Sequence, residues 1–206
     1  NGADASGVYP LGPHNVNFSV TDPCGNSVSF NRSFTVVDDV SPIASCQSSV
    51  TIGLPSNGTL ILNPALIDNG SFDNCGIIVS RTVSPNTFDC DDADGVTEHP
   101  VTLTVVDAAG NASSCNAVVI IEDNFDPTAV CRDITVNLDQ SGTATITPAD
   151  VDGGSFDNCT AAADLMYAIS QNTFTFADAG TTIPVELTVT DSNGNSNTCT
   201  AMVTVT

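Results

Sequence analysis

Two stretches carry the residues with the most evident chemistry. Asp68 is followed by Gly70-Ser71-Phe72-Asp73-Asn74-Cys75, and the same order returns as Asp152-Gly153-Gly154-Ser155-Phe156-Asp157-Asn158-Cys159. Asp73 and Asp157 are 84 positions apart (157 − 73), and so are Cys75 and Cys159 (159 − 75). Carboxylates and an amide this close together offer the oxygen donors that a hard cation takes. Their recurrence marks a tandem repeat, each copy carrying a polar loop suited to an ion.

The elements that must position these loops follow the same period. Ser41-Pro42 before Cys46 matches Asp126-Pro127 before Cys131, an offset of 85 (127 − 42). Asp107-Ala108-Ala109-Gly110-Asn111 matches Asp191-Ser192-Asn193-Gly194-Asn195 at 84 (191 − 107), and Asp22-Pro23-Cys24-Gly25-Asn26 matches it once more at 85 (107 − 22). A unit of about 85 residues is the size of one sandwich domain. The expected division is 1–38 as the second half of a repeat, then complete repeats at 39–123 and 124–206.

Within a repeat, Val50-Thr51-Ile52 and Ile134-Thr135-Val136 read as a first strand. Thr59 to Leu62 and Thr143 to Ile146 read as a second. Pro64-Ala65 and Pro148-Ala149 suit a single helical turn, because proline is tolerated at a first helical position. Gly76 to Val79 resumes extended structure. Val101 to Val105 and Val185 to Val189 alternate as half-buried strands do. The Asp-x-x-Gly-Asn turns then lead into last strands at Ala117 to Ile121 and Ala201 to Val205. Alternation, closely spaced turns and the lack of helical periodicity predict an all-β fold of tandem immunoglobulin-like Greek-key sandwiches.

Composition narrows the function classes. The chain has 206 residues, three Arg (Arg32, Arg81, Arg132), no Lys and 24 acidic residues, a formal net charge of −21. A sequence-independent grip on nucleic acid needs Lys and Arg against phosphate and is excluded; attraction to an anionic membrane surface is disfavoured in the same way. Such charge opposes compaction, and bound divalent cations would relieve it. The competing explanation is an acidic, salt-adapted surface, which does not require Asp at repeated loop positions. With aromatics at 5% and no Trp, the core must be built from Val, Ile, Leu and the nine Phe. Eight Cys in a chain of this size suggest an oxidising compartment, and the lack of a Cys-x-x-Cys pair argues against a zinc ribbon. No apolar run reaches 18 residues, so no transmembrane helix is expected. The opening is no signal peptide, so any targeting segment is expected upstream or removed.

Taken together, the Pro-x-x-x-Cys opening, the Asp-Asn-Cys loop, the Val-x-x-Thr/Val-x-Asp-x-x-Gly-Asn hairpin and the closing Cys-x-x-x-Val-x-Val strand resemble hyalin-type (HYR-like) repeats. The resemblance covers nearly all of both full repeats and the half repeat. It implies immunoglobulin-like modules arrayed in extracellular adhesive proteins, most closely the secreted surface arrays of Bacteroidota-type bacteria. It also implies a stalk, filament or adhesin at the cell surface rather than a catalyst. Phe30 departs from the pattern, standing where the full repeats have Cys115 and Cys199.

In such a sandwich the first and last strands lie side by side, which implies Cys46–Cys115 and Cys131–Cys199 bridges. The last repeat has Phe176 in place of Cys90. That leaves Cys75 to pair with Cys90, closing a span of 15 positions (90 − 75) and worth roughly 3 kcal/mol in the chain-entropy model. Cys24 and Cys159 have no partner in their own repeats. Either Cys24 has lost a partner by truncation and Cys159 is a free thiol, or they bridge between repeats or between chains.

The topology also brings the incoming linker, the acidic loop and the last hairpin to one end of each sandwich. For the first full repeat these supply Asp38 and Asp39, then Asp68, Asp73 and Asn74, then Asp107. For the second they supply Asp123, Asn124 and Asp126, then Asp152, Asp157 and Asn158, then Asp191. Calcium takes six to eight such oxygens; magnesium demands tighter octahedral geometry, and without histidine the clusters do not suit zinc or copper. Turn capping is the alternative role for every Asp and Asn here. For Asp107 and Asp191 it fits equally well. For Asp73 and Asp157, beside a Phe expected to be buried and a Cys, ligation is favoured. A second acidic loop, Asp89 to Gly95, puts Cys90 and Val101 at EF-hand ligand positions and reads as a solvated loop.

Other chemistry is weakly represented. His14 and His99 share a repeat position that Ile183 occupies in the last repeat, so they flank a strand rather than act as bases. Carboxylates recurring in every repeat read as structure, whereas an enzyme needs one site. Six Asn-x-Ser/Thr sequons, at Asn17, Asn31, Asn57, Asn69, Asn111 and Asn158, are open to glycosylation. Three function classes follow. The first is a calcium-stiffened stalk whose partners are neighbouring repeats or like subunits of a filament. The second is a module binding carbohydrate, such as surface glycans, at an array's tip. The third is an accessory domain of a secreted enzyme. A half repeat cannot bury its own core, so residues 1–38 need completion by a longer array or by a neighbouring chain.

Overall fold

The computed structural model describes residues 7–206; the first six positions of the expected opening segment lie outside the described residues. Short alternating runs rich in Val, Ile and Thr favour strands. They form β1 (Gly12–Thr21), β2 (Ser27–Val36), β3 (Ser49–Gly53), β4 (Thr59–Ile61), β5 (Ile78–Ser84), β6 (Thr87–Asp89) and β7 (His99–Asp107). The series continues with β8 (Ala112–Glu122), β9 (Ile134–Val136), β10 (Thr143–Thr145), β11 (Met166–Ile169), β12 (Thr173–Thr175), β13 (Thr182–Thr190) and β14 (Ser196–Val205). Among the described residues, helix is confined to Pro148–Val151 and to single 3-10 turns at Pro64–Leu66, Cys90–Asp92 and Phe176–Asp178. The expected proline-led turns are thus present, and Asn63 caps the first by accepting from the Ala65 N–H. The fold is nearly all-β and of the sandwich kind.

Two compact units are distinguished. One runs to Cys46 and takes in Asp68–Thr82 and Leu103–Cys115; the other takes in Gln47–Ile67, Val83–Thr102 and Asn116–Thr206. In the first, β1 and β2 pair from Gly12↔Val36 to Thr21↔Ser27. Phe18 and Phe30 stack with ring centroids 5.3 Å apart, while Val20, Val28, Phe30 and Phe34 remain exposed. His14 donates from Nε2 to the Pro10 carbonyl, 2.6 Å away.

In the second unit, β9 joins β14 in parallel from Val203↔Ile134 to Val205↔Val136, next to the antiparallel β13–β14 pair. The four-stranded order is β11-β13-β14-β9, faced by the β10-β12 pair. The order β3-β8-β7-β5, with the β4-β6 pair, is the same arrangement earlier in the chain. Val185, Leu187 and Val189 on β13 and Ala201, Val203 and Val205 on β14 face inward and exclude water completely; Phe174 of β12 closes the core over them. Burial of each larger side chain contributes about 1.5–3 kcal/mol. This packing holds the turn between β13 and β14, and so Asp191, in a fixed place.

Phe72 and Phe156 correct an expectation: both are exposed, at 55% and 58%. Each sits in an isolated backbone bridge, Ile43↔Phe72 or Thr128↔Phe156. The adjacent Ser71 and Ser155 are the buried residues. Alternation along an extended backbone then turns the rings outward.

The bridges Cys46–Cys115 and Cys131–Cys199 form as the resemblance implied, each with Cα atoms 5.8 Å apart. The third bridge differs. Cys90 joins Cys159, while Cys75 and Cys24 are free and exposed. The reason is geometric: the Cys90 sulfur lies 3.6 Å from the carbonyl oxygen of Asn158, the residue next to Cys159. Of the readings left open for Cys159, a bond between segments 39–123 and 124–206 is the one the structure adopts.

Candidate metal centre

Each Asp-x-x-Gly-Asn turn is held by its own aspartate. Asp107 Oδ1 accepts from the N–H groups of Ala109 and Asn111, both at 2.8 Å, and Oδ2 accepts from Asn111 Nδ2 at 2.9 Å. Asp191 repeats this with Asn193 N–H, Asn195 N–H and Asn195 Nδ2 at 2.8–2.9 Å. Asp22 does the same in the first hairpin. The turn glycine has φ of +94° at both Gly110 and Gly194, a conformation that side chains disfavour.

The turn asparagine also reaches the linker. Asn111 Nδ2 donates to the Asp38 carbonyl at 3.1 Å, and Asn195 Nδ2 to the Asp123 carbonyl at 2.9 Å. Neither Asn111 nor Asn195 was among the expected site residues. Their signal was present in the thrice-repeated Asp-x-x-Gly-Asn motif.

The acidic loop supplies the third side. Asp73 Oδ2 accepts from the N–H groups of Cys75 and Gly76, and Asp157 Oδ2 from those of Cys159 and Thr160. In both residues Oδ1 is buried with no hydrogen-bond partner. Asp123 Oδ1 accepts from Phe125 N–H and Asn158 Nδ2, each at 3.2 Å, and its Oδ2 is likewise buried and unpartnered.

Two clusters result. Asp38, Asp73 and Asp107 place ligand oxygens within 4.8 Å of one another, and so do Asp123, Asp157 and Asp191. Asp107, Asp123 and Asp191 are buried, at 1%, 3% and 0% exposure. Among the described residues Arg81 pairs with Asp68, and His99 Nδ1 lies 3.7 Å from Asp92, both away from the clusters. Three carboxylates converging without a basic partner repel one another, and buried oxygens without donors are costly. A cation offsets both terms. The donor set is all oxygen, which suits calcium and not the softer metals.

The remaining expected aspartates fall outside the two clusters. Asp68 accepts from the Ser71 N–H and from Arg81 Nε, 2.7 Å away. Asp152 accepts from the N–H and hydroxyl of Ser155. Both aspartates therefore brace the loop that presents Asp73 or Asp157 five residues later. Asp39, Asn124 and Asp126 are exposed. Asn74 is also exposed and donates to the Cys75 sulfur; its counterpart Asn158 donates to the Cys159 sulfur in the same way and also to Asp123. The loop at Asp89 to Gly95 uses three of its carboxylates on nearby donors. Asp89 and Asp92 form a capping box, and Asp94 accepts from Val96 and Thr97. His99 packs edge-on against Phe88.

No family model matches the chain. Two proteins named hyalin are similar to it. The one from Lytechinus variegatus is 29% identical over 145 residues, covering 66% of this chain and 26% of that protein. The one from Strongylocentrotus purpuratus is 29% identical over 130 residues, covering 59% and 10%. The chain therefore spans about a quarter or less of these relatives. Its sequence is hyalin-like, and neither match supports the bacterial setting that the motifs suggested. Among solved structures, human protocadherin-24 EC1-2 matches with 13% identity and a TM-score of 0.40, covering 82% of this chain and 99% of that one. The protocadherin gammaB4 extracellular domain matches with 15% identity and a TM-score of 0.35, covering 94% and 37%.

The turn carboxylates carry a pH signature. The Thr97 hydroxyl and N–H groups hold Asp94 at about 2. Burial raises Asp107, but the Asn111 amide and the turn N–H groups outweigh it and leave the carboxyl below its ordinary value. Asp22, Asp139 and Asp150 are lowered by hydrogen bonds from Asn26, Ser141 and Thr147. A lowered carboxyl binds fewer protons folded than unfolded, so its stabilisation is complete above the unfolded pKa of 3.8 and is lost below it. In calcium-free buffer, Tm is expected to fall as pH drops from about 4 towards 2. A flat melting profile across that window would refute the role of these turns.

Proposed function

We propose that the chain is a structural repeat segment of an extracellular filament or adhesin stalk. Calcium held by Asp38, Asp73 and Asp107, and by Asp123, Asp157 and Asp191, fixes each repeat to the linker before it and sets the angle between neighbours. The observation that carries this reading is the recurrence of one three-carboxylate cluster at an offset of 84–85 residues (123 − 38, 157 − 73, 191 − 107), with unpartnered buried oxygens in both copies. The hyalin-like sequence and the three disulfides support an extracellular, adhesion-type setting. The repeats run over 39–123 and 124–206, and residues 1–38 are the second half of another. The bacterial surface array belongs to this reading through motif order alone.

Calcium titration calorimetry tests it. Two ions are expected per chain. Asp73→Asn should abolish one and Asp157→Asn the other, since each removes one carboxylate while leaving a shape-matched amide. A chain that takes up no calcium at millimolar concentration would end the proposal.

A further inference from the structure

The two clusters share their carboxylates and differ in what anchors the loop behind them. Cys159 is bonded to Cys90, with Cα atoms 5.1 Å apart. Its own N–H donates to Asp157 Oδ2 at 2.8 Å, which leaves Oδ1 for the cluster. The bond therefore fixes the peptide that orients Asp157. Between them, Asn158 sends Nδ2 to Asp123 Oδ1, so the same loop also sets the second carboxylate. The preceding segment is shaped to receive the bridge. Gly58 has φ of +72°, and a Cβ there would lie 3.0 Å from the Cys90 sulfur and 3.6 Å from the Asn158 carbonyl oxygen.

The first cluster lacks this arrangement. Asp73 accepts from the Cys75 N–H in the same way, at 2.9 Å. Yet Cys75 is free and exposed. Asn74 donates to the adjacent sulfur as Asn158 does, but only Asn158 has a bond to a cluster carboxylate, Asp123. One chain thus holds a braced and an unbraced copy of the same site.

We propose that the Cys90–Cys159 disulfide positions Asp157 and Asn158 for cation binding, so that affinity at the second cluster, and not at the first, depends on the oxidation state of this pair. The proposal rests on the calcium reading above. An external dithiol would supply two electrons and two protons, break the one S–S bond, leave two thiols and itself become a disulfide. Residues that orient metal ligands from behind typically govern affinity by about 10–100-fold. A loss of at least about tenfold is expected at the second site when the bridge is absent.

The test uses the full chain in two backgrounds: Asp73→Asn, which keeps only the second cluster intact, and Asp157→Asn, which keeps only the first. Into each goes Cys90→Ser with Cys159→Ser, and calcium affinity is measured by calorimetry. The serine pair should weaken binding about tenfold or more in the Asp73→Asn background and leave the other unchanged. Metal-free Tm in chelator is read in parallel, because a bridge that only stabilises the fold would lower Tm without moving the affinity. Should the serine pair fail to fold, Cys90→Phe, which installs the residue found at the equivalent position 176, serves instead. Unchanged affinity in the Asp73→Asn background overturns the positioning role alone. Absence of calcium binding in the unmodified chain overturns both readings.

Discussion

Saturating calcium is expected to raise the Tm of the chain well above its value in chelator. Selective binding to the folded state contributes about 4 kcal/mol per site once free calcium exceeds Kd a thousandfold. For a chain of about this length each kcal/mol moves Tm by roughly 2–4 °C, so one filled site is worth about 8–16 °C. Two origins must be separated. A diffuse acidic surface is relieved by any screening ion, and at 1 M salt the screening length is only about 3 Å. A built site responds to a divalent ion of the right size. Two calcium ions change the formal net charge only from −21 to −17 (−21 + 4), too small a correction to act through bulk charge alone. Differential scanning calorimetry should therefore show a large shift at millimolar calcium and a much smaller one with sodium chloride of equal ionic strength. Equal shifts would assign the acidity to solubility and remove the case for a site.

The sequence carried the strands and the acidic loop because both are local. Alternation over Val185 to Val189 needs no tertiary information, and Asp107 and Asp191 lie in a motif that returns at a fixed interval. Asp68 and Asp152 read as ligands because they lie in the same acidic loop as Asp73 and Asp157. In the folded chain, serines buried beside them take up their oxygens first. Spacing along the chain cannot rank a nearby donor against a cation. The reach of Asn111 to the Asp38 carbonyl was hidden for the opposite reason: an asparagine after a turn glycine already has a local role, and its second partner is 73 positions away.

The disulfide error has a similar cause. Pairing by elimination assumed that each repeat closes its own bonds, which forces Cys75 onto Cys90. The three observed bonds span 69, 69 and 68 residues. A common span across the eight cysteines would have singled out Cys90–Cys159. The period of about 85 drew attention instead to matching positions, where Cys75 and Cys159 look alike. They differ in that Cys159 is bonded to Cys90, whereas Cys75 and Cys24 both stay free.

Asp191→Ala is expected to destabilise the chain by about 3 kcal/mol in chelator. The side chain is completely buried. Its removal leaves the N–H groups of Asn193 and Asn195 without their acceptor and frees the Asn195 amide that holds the Asp123 carbonyl. Asp191→Asn separates this turn role from ligation. It keeps an oxygen for both backbone donors and loses only the Asn195 side-chain bond, a cost of about 1 kcal/mol. The two substitutions should differ strongly in metal-free stability, yet both should abolish the calcium response of the second cluster. Asp22 supplies the control: it makes the same three turn bonds on an exposed hairpin, outside both clusters. Asp22→Asn should leave calcium binding unchanged. If Asp191→Asn retained the full calcium-induced rise in Tm, its carboxylate would be a turn cap and nothing more, and Asp107, which makes the same bonds, would lose its place as a ligand with it.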